Sequence, residues 1–433
     1  MHLWTQAKHA AELTPAHRNR TADFCRAAAI VIVVFGHWIV SVPYFAGGEL
    51  QFTELLVNQP WTQYATWAVQ VMPIFFFVGG YSNAASWSSA RNDPEKRRVW
   101  QATRMRRLLL PIAPLVLVWA VGAWFANLAG IDPDLVRNSS RAALIPVWFL
   151  AVYVMVTVAV PVSYWFWRRS ALWSVAALIA AAALIDLVGF AGGAGWARWA
   201  NYGFVWLAMH QMGYWWRDGV RFPAAPLLLL AAGIAMALLL LGPFGYPVAM
   251  ISVPGVEVSN SQPPTVAMLA IGFMQAGLIL AVSDRVAKWL ENPRPWAVVI
   301  LLSQRIMTVY LWHLTALLAL VALSLLADGV GLRLVPGSGI WWLARPLWIA
   351  ALLVALAPLV FAFGGLEAGS RRSAGNMPGP GRATLGGLLA CGGLTFMALD
   401  GTYSDNVFGV NFVPVAFVLA GVALSVVTTQ QRG

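Results

Sequence analysis

Twelve stretches of this chain are apolar over the length that a membrane crossing needs, and they leave little sequence from which any other fold could be built. A hydrocarbon core of about 30 Å takes roughly 17–25 helical residues. The stretches run 24–44, 65–88, 108–128, 143–167, 171–190, 199–216, 225–245, 265–283, 298–325, 341–364, 384–400 and 410–429. The expected fold is therefore an all-α polytopic membrane protein of about twelve transmembrane helices. Composition agrees, with 60% of the 433 residues hydrophobic and only 10% charged, against roughly 45–50% and about 25% in soluble domains. An ordinary water-soluble enzyme and any disordered or fibrous chain are excluded.

The net charge of +11, from 28 basic against 17 acidic residues, would suggest a nucleic-acid partner if it formed one patch. Sorted by loop, it does not. With the N-terminus on the cytoplasmic side, 22 of the Lys and Arg residues fall in inner segments and 4 in outer ones, while Arg305 and Arg345 lie within spans. The positive-inside rule then predicts an N-in, C-in chain and no nucleic acid. The division expected is a cytoplasmic segment 1–23, a ten-helix membrane domain 24–364, a cytoplasmic Gly/Pro/Ser-rich linker 365–383, and a C-terminal transmembrane pair and tail 384–433. The 23 polar residues before the first span, with no small-residue cleavage pattern after it, argue against a removable signal peptide. Outer loops 45–64, 246–264 and 401–409 carry no Lys or Arg. Arg outnumbers Lys 25 to 3, which suits a GC-rich genome. Cys25 and Cys391 offer no metal spacing or disulfide framework and read as packing residues.

Within the first span, Arg26 and His37 are eleven residues apart. Eleven residues make almost three whole turns, so both side chains share one helix face, about 16 Å apart along the axis. Arg26 is expected at the cytoplasmic lip and His37 toward mid-membrane. An ionisable side chain at that depth faces a cavity, a substrate or a partner helix; function and satisfied packing are the two readings. Asp186 and His210 are also intramembrane and read as an internal pair or as acceptor contacts, and Gly79 and Gly80 as sites of close helix packing.

The Arg26, ten residues, His37 spacing resembles the first-span signature of the acyltransferase-3 (acyl_transf_3) membrane acyltransferases. Four more segments, in the right order, are similar to that family: Phe75 to Tyr81, with Gly79 where the family usually has Ser; Arg104 to Pro111; Trp148-Phe149-Leu150; and Tyr310-Leu311-Trp312-His313. The resemblance covers residues 20 to about 365 and does not speak to the last two spans.

What it implies is transfer of an acyl group, commonly acetyl, from cytoplasmic acyl-CoA to a hydroxyl of a glycolipid, a cell-envelope glycan or a similar acceptor, in a bacterial plasma membrane. Histidine suits the proton transfer that activates a hydroxyl, and His37 is the expected base. Guanidinium groups bind phosphate bidentately, so Arg26, Arg104 and Arg107 are expected to hold the CoA phosphates. Arg305, two turns before His313, either extends that site or pairs with a carboxylate. His313 either orients the substrate, stabilises an oxyanion or packs. Trp148 and Tyr310 are expected to line the substrate pocket. No metal is expected. The competing reading is a twelve-span secondary transporter, which span count and topology equally allow.

Overall fold

The computed structural model describes residues 2–15, 18–219, 222–370 and 377–426. Arg221, Arg371, Arg372 and Arg432, counted above among the inner cations, lie outside the described residues. From the N-terminus, α1 (His2–Glu12) and α2 (Arg20–Val40) precede a hairpin of β1 (Ser41–Ala46) and β2 (Glu49–Glu54). The short helices α3 (Leu55–Asn58) and α4 (Thr62–Val69) lead into α5 (Met72–Ala90). Then come α6 (Pro94–Leu109), α7 (Ile112–Leu128), α8 (Pro133–Leu144), α9 (Val147–Arg169), α10 (Ala171–Ala191) and α11 (Asn201–Asp218). The remainder is α12 (Ala225–Leu241), α13 (Val266–Trp289), α14 (Pro293–Gln304), α15 (Ile306–Leu326), α16 (Gly339–Ser370), α17 (Pro380–Asp400) and α18 (Phe412–Val426).

Among the described residues, eight helices are long and apolar enough to cross a membrane, and α12 and α18 are shorter apolar helices. This is an all-helical polytopic membrane protein. The expected spans 65–88 and 199–216 are helices, α5 and α11, but stand outside those eight. Both carry polar residues in their length, Ser82, Asn83 and Ser86 in one and His210 and Gln211 in the other. Several boundaries differ from expectation: the helix expected over 24–44 ends at Val40 and passes into β1, and 65–88 is divided between α4 and α5. The span 298–325 is broken at Arg305 (φ −126°, ψ 18°) into α14 and α15. The tenth apolar helix continues to Ser370, into the stretch read as linker, and residues 371–376 lie outside the described residues.

The chain divides into two compact units. One comprises Met1–Val42, Phe52–Ser86 and Val160–Gln304; the other comprises Pro43–Gln51, Trp87–Ala159 and Arg305–Gly433. The first unit holds α2, most of α5 and α10 to α14. The second holds α6 to α8, α15 and α16 together with the C-terminal α17 and α18, so the last two helices share a unit with helices from the chain's first half.

Helix starts follow local chemistry. Asn19 caps α2 by accepting from Ala22 N at 2.9 Å, a contact of the kind that contributes about 1 kcal/mol. Asp93 caps α6, accepting from Glu95 N at 2.9 Å and Lys96 N at 3.2 Å, with Pro94 in the first turn. The Lys96 backbone N–H holds the Asp93 carboxyl below the usual carboxylate range. The basic segment 94–107, read from sequence as an inner loop, is thus a helix.

Between apolar helices, packing rather than water-driven burial supplies the contact, so small residues set the closest approaches. In the first unit α5 and α11 cross at Gly80 and Gly213. A Cβ on Gly80 would lie 1.8 Å from His210 O, and one on Gly213 2.0 Å from Phe77 O. The reading of Gly80 as a close-packing residue holds. Because the obstructing atoms are backbone, Gly80→Ala is expected to cost at least the roughly 1–3 kcal/mol of core overpacking. Thermal unfolding in detergent should show a lower Tm; an unchanged Tm would mean that the crossing relaxes freely.

Candidate active site

In the first unit, Arg26 occupies the second turn of α2. Its Nη2 donates to Ser82 Oγ on α5 at 2.7 Å, and its Nη1 to Asp23 Oδ1 one turn earlier at 3.3 Å. Asp23 Oδ2 also accepts from Arg18 Nε at 2.7 Å. The Arg26 side chain is 39% exposed, so the guanidinium is anchored on one side and open on the other. His37 lies in the last turn of the same helix, where its carbonyl accepts from Ser41 N. The helix runs from Arg20 to Val40, and His37 stands three residues before its end.

Ser82 and Asn83 are adjacent but serve different helices. Asn83, 1% exposed, donates from Nδ2 to Nε2 of the fully buried His210 at 3.1 Å. The His210 ring stands edge-on to Tyr214, centroids 5.1 Å apart. Asp186 has other partners: Oδ1 accepts from Asn201 Nδ2 at 2.8 Å, and Oδ2 from Tyr246 OH at 3.1 Å and Val266 N at 2.8 Å. The last contact places a carboxylate on the first amide of α13, the positive end of the helix. The reading of Asp186 and His210 as a mutual pair is therefore corrected: one caps α13, the other binds Asn83. The sequence reading passed over Ser82 and Asn83; the signal was two polar residues following Phe75 to Tyr81 in an apolar run.

The remaining candidates lie in the second unit. Arg104 and Arg107 are one turn apart on α6, Arg104 half-buried with its guanidinium 5.8 Å from the Trp100 ring centroid, and Arg107 exposed. The two late motifs come together. Tyr310 OH donates to Pro146 O at 2.7 Å, and its ring meets Phe149 at 5.8 Å, beside the half-buried Trp148. His313, fully buried, sits one turn along α15 with Nδ1 2.6 Å from Tyr310 O. A carbonyl only accepts, so Nδ1 carries the proton in this contact.

Arg305 marks the break between α14 and α15. Its side chain packs against Gly364 on α16, where a Cβ would lie 2.8 Å from the arginine Cδ. One turn further along α16, Glu367 accepts from Met307 N at 3.4 Å, Thr308 N at 3.0 Å and Thr308 Oγ1 at 2.9 Å, capping α15. Among the described residues no group of three or more His, Cys, Asp or Glu side chains could hold a metal ion.

Residues 19–365 match the profile of the acyltransferase-3 family (Acyl_transf_3), described as an acyltransferase domain. The match covers most of the chain, which therefore belongs to this family, and its apolar helices make it a membrane acyltransferase. No curated protein matches the chain, and no solved structure does. The transporter reading is not favoured.

Asn83→Ala takes the donor from a histidine buried among apolar helices. A loss of about 1–3 kcal/mol is expected, the cost of leaving a buried polar atom unsatisfied. A lower unfolding temperature in detergent would register it, and stability equal to the parent would show that His210 finds another donor.

Proposed function

We propose that this protein is an O-acyltransferase of a bacterial plasma membrane that moves an acyl group, acetyl in the first instance, from cytoplasmic acyl-CoA to a hydroxyl of a glycolipid or envelope glycan. The observation that carries the reading is α2. It presents Arg26 and His37 at the family's spacing, with the arginine held to Ser82 yet open to solvent. The 22 to 4 distribution of basic residues supports twelve crossings with both termini inside, which puts Arg26 and α6 on the side where acyl-CoA is found.

In this mechanism Arg26, Arg104, Arg107 and Arg305 each offer a guanidinium, a fixed cation, to the CoA phosphates. His37 accepts the proton of the acceptor hydroxyl as its oxygen attacks the thioester carbon. The carbon–sulfur bond then breaks, and the departing CoA thiolate takes the proton back from His37. Trp148 and Tyr310 form a wall. His313, held in place by its Nδ1 donating to Tyr310 O, orients the acceptor. Charge-poor outer loops suit a lipid-linked or glycosidic alcohol entering from the outer side or the bilayer.

Purified protein given radiolabelled acetyl-CoA and lipid-linked glycans tests this. His37→Ala is expected to slow transfer by about 10²–10⁴-fold, the usual worth of a general base; full transfer by that variant overturns the assignment. Arg26→Ala is expected to raise the KM for acetyl-CoA about tenfold, the equivalent of one charge-assisted hydrogen bond, and the acceptor KM much less. Equal rises in both would make Arg26 a helix support only.

A further inference from the structure

The family match ends at residue 365, leaving α17 and α18 without an assigned role. They are tied to α6 along a single stripe. Arg98, Gln101 and Met105 are spaced three and four residues apart and so share one face of α6. Arg98 Nη2 donates to Met377 O, Gln101 Nε2 donates to Thr384 Oγ1, and Met105, fully buried, fills the space left by Gly387. A Cβ at Gly387 would lie 2.8 Å from Met105 Sδ and 3.3 Å from Val158 Cγ2.

The opposite end of the pair is also anchored. Arg137 on α8 grips both oxygens of Asp405, at 2.8 and 2.7 Å, in the connection between α17 and α18. Thr402 N donates to Ser140 Oγ at 3.2 Å, Thr402 Oγ1 to Trp119 O at 3.2 Å, and Asn127 Nδ2 to Val407 O at 3.0 Å. The two helices are themselves in close contact, a Cβ on Gly386 falling 2.7 Å from Gly421 O. The pair thus has contacts at both ends, and α6 lies along it.

Arg104 and Arg107 neighbour Met105 on the same helix but point about 100° and 160° away from it, at 100° per residue. A helix turns as a body, so whatever holds the 98–101–105 stripe also sets where those two guanidinium groups point. We propose that the C-terminal pair is the frame that orients the donor side of the enzyme, with Gly387, Thr384 and Gln101 as positioning residues for Arg104 and Arg107. The proposal rests on the reading of those arginines as acyl-CoA contacts.

Gly387→Val in the full-length protein tests it, with hydrogen exchange across 94–109 and steady-state kinetics measured together. The expected result is faster exchange in α6 and a KM for acetyl-CoA raised about threefold or more, the scale of one lost hydrogen bond, with kcat and acceptor KM nearly unchanged. Unchanged exchange and unchanged acetyl-CoA KM would overturn the proposal. Thr384→Val, which removes the Gln101 acceptor and keeps the volume, should shift both readouts in the same direction and serves if Gly387→Val does not fold. Arg104→Ala separates the two ideas. Faster α6 exchange in Gly387→Val with no KM change in either variant would keep the frame and overturn the donor reading; a raised KM in Arg104→Ala alone would do the reverse.

Discussion

A carboxylate among apolar helices has to find its hydrogen-bond donors inside the chain, because lipid offers none. The protein meets this constraint twice in the same way. Asp186, from α10, accepts from the first amide of α13, and Glu367, from α16, accepts from the first turn of α15. Each carboxylate satisfies amides that a helix start leaves open and places negative charge at the positive end of the helix dipole. Asp186 joins α10 to the start of α13, where Thr265 is the N-cap, and Glu367 joins α16 to the start of α15. Helix N-termini are ready-made anion sites, and these two are already occupied by the chain's own acids.

Guanidinium groups are divided by the same logic. Arg98 and Arg106 donate to the carbonyls of Met377 and Gly369, on either side of residues 371–376, and Arg137 is spent on Asp134 and Asp405. These arginines hold the second unit together. Positive charge on these segments is therefore not one quantity, because part of it closes helix ends and holds connections within the unit. Arg26 belongs to the first unit, where Ser82 and Asp23 fix its direction.

The helical, membrane-spanning character of the fold was legible because apolar length is a signal that tertiary structure cannot override. So was the close approach at Gly80. What stayed hidden depends on partners far apart in sequence. Nothing local in 298–325 announces the break at Arg305, which exists because Glu367, some sixty residues on, caps a new helix start. The basic run at 91–107 read as a loop from its charge, although Asp93-Pro94-Glu95 is a helix-start signature. The hairpin at 41–54 was also present in local form, in the Gly47-Gly48 pair whose positive φ values of 64° and 85° make its turn. For the candidate site, spacing on one helix was readable in Arg26 and His37, whereas Ser82 and Asn83 acquire meaning only once α5 is set beside α2 and α11.

The buried histidines illustrate how a hydrogen bond decides chemical capacity before any substrate arrives. A proton acceptor needs a lone pair that the protein has not already committed. His210 gives its Nε2 lone pair to the Asn83 amide, so its ring is a structural link between α5 and α11. His313 uses the other nitrogen, and uses it as a donor: Nδ1–H closes on Tyr310 O of its own helix. That bond ties the imidazole to the turn whose Tyr310 hydroxyl is anchored on Pro146 O, so one chain of contacts runs from α15 to the start of α9. The Trp148 and Tyr310 motifs, 162 residues apart in sequence, are in this sense one element, since the hydroxyl of Tyr310 is anchored on the carbonyl of Pro146 and its ring on Phe149.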